Sequence, residues 1–332
     1  MKQLKGAVVV ITGASSGIGH AAAHAFAKRG SIVVLAARRQ PVLEEVAAAC
    51  SEAGATDTMA HAVDVTDPKA MATLASTVYQ KFGRLDVWVN NAAVSLFSRF
   101  EEAPLETYRQ VIDTNLFGYI HGARAALPYF REQGSGTLIN VGSVVSSAPQ
   151  PYTSAYVASK SAINSLTDSL RMELSLDKAP GINICMILPA SIDTPIFQNA
   201  ANYSGRQAQP LKPVYRPERV ASAIVAVARQ PRRKTLVGEA GQLFVLGHAL
   251  LPRAYEVIGA RLVENNHLKQ EIAMPDNGNT FKPSSNTGIS GGWREPKGRS
   301  TGMKVGIAAA IAVAAGIGLV MLMKRRTSKA GK

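Results

Sequence analysis

A short glycine-rich turn near the N-terminus constrains this chain more than any other stretch. Ala7-Val-Val-Val-Ile11 is a continuous apolar, β-branched run, the pattern of a strand buried on both faces. Thr12-Gly13-Ala-Ser15-Ser16-Gly17-Ile18-Gly19 follows directly, and an Ala-rich helical pattern continues through Ala27. Strand, glycine turn and helix, in that order, aim backbone N–H groups and a helix N-terminus at a pyrophosphate. The glycines permit the tight turn and the close approach of phosphates. Their spacing, G-x-x-x-G-x-G, is one residue longer at its start than the common dinucleotide fingerprint.

The unit repeats. A second strand, Ser31–Ala36, ends in Ala37-Arg38-Arg39, where a dinucleotide site selective for an unphosphorylated ribose would carry Asp or Glu. Two guanidinium groups there suit a 2′-phosphate instead. His61-Ala-Val-Asp64 reads as a third strand whose polar end meets the adenine, and Asp67 as the cap of a helix beginning at Pro68. Leu85–Val89, running into Asn90-Asn91-Ala92-Ala93, is a fourth. Strands and helices alternating at this spacing predict an α/β fold with a parallel, doubly wound sheet flanked by helices.

Further along, Tyr156 and Lys160 stand four residues apart on one helix face, about 6 Å apart at Cβ. An ammonium that close favours the phenolate of a tyrosine that otherwise titrates near pH ~10. Asn115 falls in the helical segment Tyr108–Ala126, where a buried amide is costly unless bonded. Ser143 ends the strand Thr137–Val141. Together the glycine turn, Asn90-Asn91-Ala92, Asn115, Ser143 and Tyr156-x-x-x-Lys160 resemble the short-chain dehydrogenase/reductase family over roughly residues 5–250. Two positions depart from it: Ala93 where the family usually has Gly, and Pro189-Ala190 where Pro-Gly is commoner.

The resemblance implies a Rossmann-type catalytic domain over residues 1–274, with a substrate lid at about 190–217. It implies an NADP(H)-dependent oxidoreductase that moves a hydride between the nicotinamide and a carbonyl or secondary alcohol. Tyr156 would be the general acid or base, and Lys160 would lower its pKa and bond the nicotinamide ribose. Ser143 would hold the substrate oxygen, and Asn115 a water extending the proton relay. The cofactor would meet Gly13, Ser15, Ser16, Gly17, Ile18 and Gly19 at the turn, then Arg38, Arg39, Asp64 and Val65 at the adenosine end. Asn91, Ala92, Pro189, Ile192 and Thr194, with Tyr156 and Lys160, would serve the nicotinamide side. A homodimer or homotetramer through Tyr108–Ala126 and Tyr156–Leu174 is implied likewise. His20 and His24 have i, i+4 spacing but no third ligand, so no metal site is expected. Cys50 and Cys185 are far apart, and Cys185 lies in an apolar strand, which makes it core.

The net charge is +14, and residues 276–332 hold ten Lys/Arg against two acids, a net of +8. With no basic helix and no aromatic–basic interleaving in the body, nucleic-acid binding is not indicated. Residues 275–303 have the Gly/Ser/Asn/Pro composition of a flexible linker. Val305–Met323, nineteen uncharged residues ended by Lys324-Arg-Arg326, is long enough to cross a hydrocarbon core at 1.5 Å per residue. The expected layout is therefore a membrane-spanning C-terminal helix over residues 304–324, then a basic tail over 325–332. The missing export signal and the need for NADP(H) place the catalytic domain on the cytoplasmic side. Membrane placement favours a lipophilic substrate. A non-catalytic NADP(H)-sensing membrane scaffold and a carbonyl reductase for soluble substrates stand as alternatives.

Overall fold

The structure, a computed structural model, describes residues 3–294. In chain order its elements are β1 (Val8–Thr12), α1 (Gly17–Ala27), β2 (Ile32–Ala37), α2 (Gln40–Glu52), β3 (Asp57–Ala62), α3 (Pro68–Phe82), β4 (Val87–Asn90), β5 (Leu96–Phe97) and α4 (Leu105–Ile112). A π-helical turn, Asp113–Phe117, leads into α5 (Gly118–Gln133), β6 (Gly136–Val141), the 3-10 turn Val144–Ser146 and α6 (Ser154–Leu176). The remainder comprises β7 (Ile182–Pro189), α7 (Ile196–Asn199), β8 (Ala201–Asn202), β9 (Arg206–Ala208), α8 (Pro217–Arg229), β10 (Lys234–Val237), α9 (Glu239–Leu250), α10 (Pro252–Asn266) and β11 (Leu268–Ile272).

Seven parallel strands form the main sheet in the order β10-β7-β6-β4-β1-β2-β3. The alternation along β1 shows why it is wound on both faces. Val9 and Ile11 pack with α1, α2 and α8, while Val8 and Val10 pack on the other face with α3, α5 and α6. All five residues of β1 and all six of β6 are buried, as continuous apolar strands between two helix layers must be. The third strand begins four residues before the expected position. Asp57-Thr-Met-Ala-His-Ala62 is an edge strand, half-exposed along most of its length, so it carries no apolar run to mark it. Asp67 caps α3 through its carboxylate, accepting from Lys69 N at 2.8 Å and Ala70 N at 3.0 Å, as its place before Pro68 implied.

The chain winds outward from β1 to β3 and returns to β4, so the order reverses between β1 and β4 and a crevice opens at their carboxyl ends. Carboxamides stitch this seam. Trp88 Nε1 donates to Asn90 Oδ1 (2.9 Å), Asn90 Nδ2 donates to Asn140 Oδ1 (3.0 Å), and Asn140 Nδ2 donates to Thr167 Oγ1 (2.9 Å), linking β4, β6 and α6.

Residues 190–217, expected as a substrate lid, carry two short strands: β8 pairs in parallel with β5, and β9 pairs antiparallel with β11. The expected linker over 275–303 needs correction in part. Residues 276–294 lie against the body as a strap, fixed mainly through backbone groups. Asp276 and Asn202 exchange N–H···O bonds of 3.0 and 2.7 Å, Asn279 N donates to Asn199 O (2.7 Å), and Gly17 N donates to Gly288 O (3.0 Å). Asp193 holds the far end, accepting from Ser290 Oγ (2.7 Å), Gly291 N (3.1 Å) and Trp293 N (2.8 Å). Gly, Ser and Asn suit such a strap because their backbones approach closely and their side chains fill little space. The expected helix at 304–324 and the tail at 325–332 lie outside the described residues. Among the described residues, no helix is long and apolar enough to cross a membrane.

The seam yields a prediction. A Cβ placed on Gly122 of α5 would sit 2.1 Å from Asn90 Oδ1 and 2.7 Å from Trp88 Nε1. Gly122→Ala should therefore break the carboxamide chain and cost roughly 1–3 kcal/mol in urea unfolding, by overpacking and lost hydrogen bonds. An unchanged midpoint would show that the network can move aside.

Candidate active site

Every strand end facing the crevice contributes to one cavity. After β1, the backbone turns at Gly13 with φ +66°, and a Cβ there would lie 2.8 Å from Ala92 Cα, so only glycine fits between the two loops. Thr12 Oγ1 accepts from Asn91 N (3.0 Å) and Ala92 N (3.2 Å), while Asn91 Nδ2 donates to Thr12 O (3.0 Å). The Asn-Asn-Ala segment is thereby welded to the glycine turn. Gly13, Ser15, Ser16, Gly17 and Ile18 line the cavity. Gly19 does not; a Cβ there would lie 2.3 Å from Gly13 O, so it lets the helix close on the turn. Ser16 caps α1 without using its side chain, leaving that hydroxyl for a ligand.

Arg38, Arg39, Asp64 and Val65 line the end of the cavity beyond β2 and β3, and Asn91, Ala92, Pro189, Ile192 and Thr194 line it too, as do Ser143, Tyr156 and Lys160. Arg38 also reaches the strap, where its guanidinium donates to Asn279 O at 2.7 Å and Thr280 O at 3.5 Å. Both departures from the family pattern are accommodated. Ala93 faces the cavity, and the methyl of Ala190 sits against Gly238 and Gly241, which supply room by lacking side chains.

Lys160 is fully buried, its ammonium donating to Val141 O (2.9 Å) and Tyr119 Oη (3.1 Å). Tyr119 Oη in turn donates to Val141 O (2.8 Å). Burial pushes the Lys160 pKa down to about 7. Its nitrogen lies 5.5 Å from the Tyr156 ring centroid but makes no hydrogen bond to that phenol. The lowering of Tyr156 that the spacing suggested is absent. Burial pushes its pKa up to about 12, and the Ser143 hydroxyl only partly opposes this. The phenol is held protonated, beside a serine hydroxyl that can bond the same oxygen. That pair can give a proton to an oxygen gaining negative charge.

Asn115, implied as the holder of a relay water, lies beside the loop after β4. Its side chain lies in the π-turn and is fully bonded, Oδ1 accepting from Val94 N (2.9 Å) and Nδ2 donating to Val94 O (2.9 Å) and Ser159 Oγ (3.2 Å). It fixes the loop after β4 to α6 and does not line the cavity. Tyr119, the direct partner of Lys160, was not singled out in the sequence. One polar signal was legible: Asn140 follows Leu138 and Ile139 in a fully buried strand.

Beyond Tyr156 the cavity is walled by apolar side chains, among them Val94, Phe97, Phe197, Phe244, Leu262 and Val263. Gln150 and His267 are polar exceptions, bonded to each other at 3.2 Å. His267 Nδ1 donates to Gln209 O, and burial pushes its pKa down to about 4, so the ring is neutral. His20 and His24 stack with centroids 5.2 Å apart, and no group of metal-ligating side chains occurs among the described residues. Cys50 and Cys185 are buried free thiols, each pushed up to about 11 by burial.

The family model for short chain dehydrogenase matches residues 7–204. The chain belongs to that family. It is an oxidoreductase of the short-chain type, with a nicotinamide cofactor and a small-molecule substrate bearing a CH–OH or C=O group. Among its relatives is the uncharacterized oxidoreductase YxnA of Bacillus subtilis, 36% identical over 277 residues that make up 83% of this chain and 77% of that one. The 11-beta-hydroxysteroid dehydrogenase A of Sesamum indicum is 37% identical over 207 residues, 62% of this chain and 58% of the sesame protein. An alcohol dehydrogenase from Thermococcus sibiricus, solved in complex with 5-hydroxy-NADP, superposes with a TM-score of 0.61 at 29% identity, over 70% of this chain and 96% of that one. A short-chain dehydrogenase from Streptomyces avermitilis gives 0.66 at 30% identity, over 75% and 95%.

The buried ammonium makes stability depend on pH. Lys160 titrates at about 7 when folded and near ~10.4 when unfolded, so between these values the unfolded chain holds a proton that the folded chain has released. Its contribution to stability is complete above the unfolded pKa and declines as pH falls to about 7. Wild type should thus gain on Lys160→Met by up to ~1.4 kcal/mol per pH unit between pH 7 and 9.5 in urea unfolding. A gap independent of pH would contradict the burial of charge at this position.

Proposed function

We propose that the protein uses NADP(H) to interconvert a lipophilic carbonyl compound and its secondary alcohol. The observation that carries this is the convergence of Ser143, Tyr156 and buried Lys160 on the cavity that begins at the glycine turn. When bound, the cofactor supplies or accepts the hydride. The chain's own residues manage the oxygen: Ser143 and Tyr156 grip it, and the Tyr156 phenol gives up its proton during reduction. Lys160 positions the ribose side and reprotonates the phenol, with Tyr119 and Val141 O holding its ammonium in place. A protonated tyrosine and a half-titrated lysine suit reduction near neutral pH.

Phosphorylated cofactor is favoured by Arg38 and Arg39 at the end of β2, with no carboxylate at position 37. The Thermococcus neighbour was solved with an NADP derivative, which supports the same preference. The apolar walls favour a lipophilic substrate, and the hydroxysteroid dehydrogenase named among the relatives accords with that class. The uncharged run Val305–Met323 would hold the enzyme at the membrane from which such a substrate comes, with the catalytic domain in the cytoplasm. Exposed Leu105, Phe117, Met172 and Leu176, on or beside the helices implied for subunit contacts, support a homodimer or homotetramer.

Cofactor titration tests the reading first. NADPH should bind at least tenfold more tightly than NADH, and Arg38→Ala should remove most of that ratio. Tyr156→Phe should retain NADPH binding while lowering kcat for ketone reduction by about 10²–10⁴. Equal binding of both cofactors would leave Arg38 and Arg39 without a cofactor role. Undiminished turnover in Tyr156→Phe would remove the tyrosine from the chemistry.

A further inference from the structure

The strap crosses the dinucleotide crevice at three places. At the adenosine end its Asn279 and Thr280 carbonyls take the Arg38 guanidinium. Over the phosphate turn its Gly288 carbonyl accepts from Gly17 N at 3.0 Å. At the nicotinamide end Trp293 Nε1 donates to Thr194 O (3.2 Å) and Gln198 Oε1 (3.1 Å), and its ring meets Phe197 edge-on at 6.0 Å. The crevice stays continuous underneath. Ser15, Ser16 and Ile18 on the floor, with Asn279, Ser284 and Asn286 on the roof, line the same cavity that reaches Tyr156.

Two further observations concern what lies between floor and roof. Asn279 Oδ1 and Thr280 Oγ1 are buried without a hydrogen-bond partner, an arrangement that costs free energy. Asn279 itself lines the cavity, at the end where Arg38 and Arg39 lie. Charge agrees. From Asn277 to Arg294 the strap contains Lys282 and Arg294 and no carboxylate, as a roof over a polyanion requires.

We propose that residues 279–293 are part of the cofactor site, a roof that closes over the bound dinucleotide, with Asn279 bonding its adenosine ribose or 2′-phosphate beside Arg38. The cofactor then enters and leaves only when the Gly288, Asp193 and Trp293 contacts release, and its exchange is slow. This rests on the nicotinamide-dinucleotide reading of the cavity.

The test uses the full chain and NADPH itself. Stopped-flow displacement of NADPH should show dissociation at least tenfold faster in Trp293→Ala than in wild type. Asn279→Ala should weaken NADPH binding at equilibrium about five- to tenfold, with the strap still in place. In wild type, saturating NADPH should slow chymotryptic cleavage after Phe281, an exposed strap residue, at least tenfold. This last measurement needs no variant to fold. Unchanged dissociation and cleavage, with wild type binding NADPH and turning over ketones, overturn the roof and leave the proposed function standing. Tighter NADPH binding in Trp293→Ala would make the strap a competitor for the cleft and overturn the roof equally. If wild type binds neither NADPH nor NADH, the proposed function fails and the roof with it.

Discussion

The structure depends on satisfying backbone and amide groups where the sheet reverses direction. β1 and β4 stay paired there, but the loops beyond their carboxyl ends leave the ladder. Side chains bond these loops instead. Thr12 and Asn91 tie the glycine turn to the loop after β4, Asn115 ties that loop to α6, and Asn90 and Asn140 tie β4 to β6 and α6. Asn90, Asn115 and Asn140 are buried, so each would cost free energy if it were left unpaired. All of them are paired. A crevice that must admit a large polar ligand is thus held open largely by groups that bond to one another across its base.

The same scaffold decides the proton chemistry. Lys160 extends from α6 across the end of β6 to Val141 O, and Tyr119 from α5 meets it there. Three elements fix one ammonium in a buried position, which brings its pKa to about 7. Nearby Tyr156 responds to the same burial in the opposite sense because its charged form is the deprotonated one. A single physical cause, desolvation, makes the lysine a weaker holder of its proton and the tyrosine a stronger one. Helix spacing alone conveyed proximity but not this balance.

What could be read from the sequence was mostly local. The glycine turn, Arg38-Arg39, Ser143 and Tyr156-x-x-x-Lys160 are short patterns, and the structure brings all of them to one cavity. Apolar strands were legible because burial on both faces leaves a continuous run; the edge strand β3 was expected too late in the chain, because it is half-exposed and has no such run. Tyr119 escaped notice because its partner is 41 residues away and its helix looks ordinary. The strap escaped for a deeper reason. Many of its bonds, such as that from Gly17 N to Gly288 O, run through N–H and C=O groups common to the backbone, so nothing in its composition distinguishes it from slack chain.

Two distant stretches of the chain meet at the phosphate turn, where Gly17 bonds Gly288. A ribosome therefore makes the floor of the crevice long before it makes the roof. Every group proposed for the chemistry, from the glycine turn to Lys160, emerges before residue 161. A partly synthesised chain, or one clipped ahead of the strap, carries its whole chemical apparatus with the crevice uncovered. Synthesis of the strap, rather than assembly of the reactive residues, is the event that encloses the crevice.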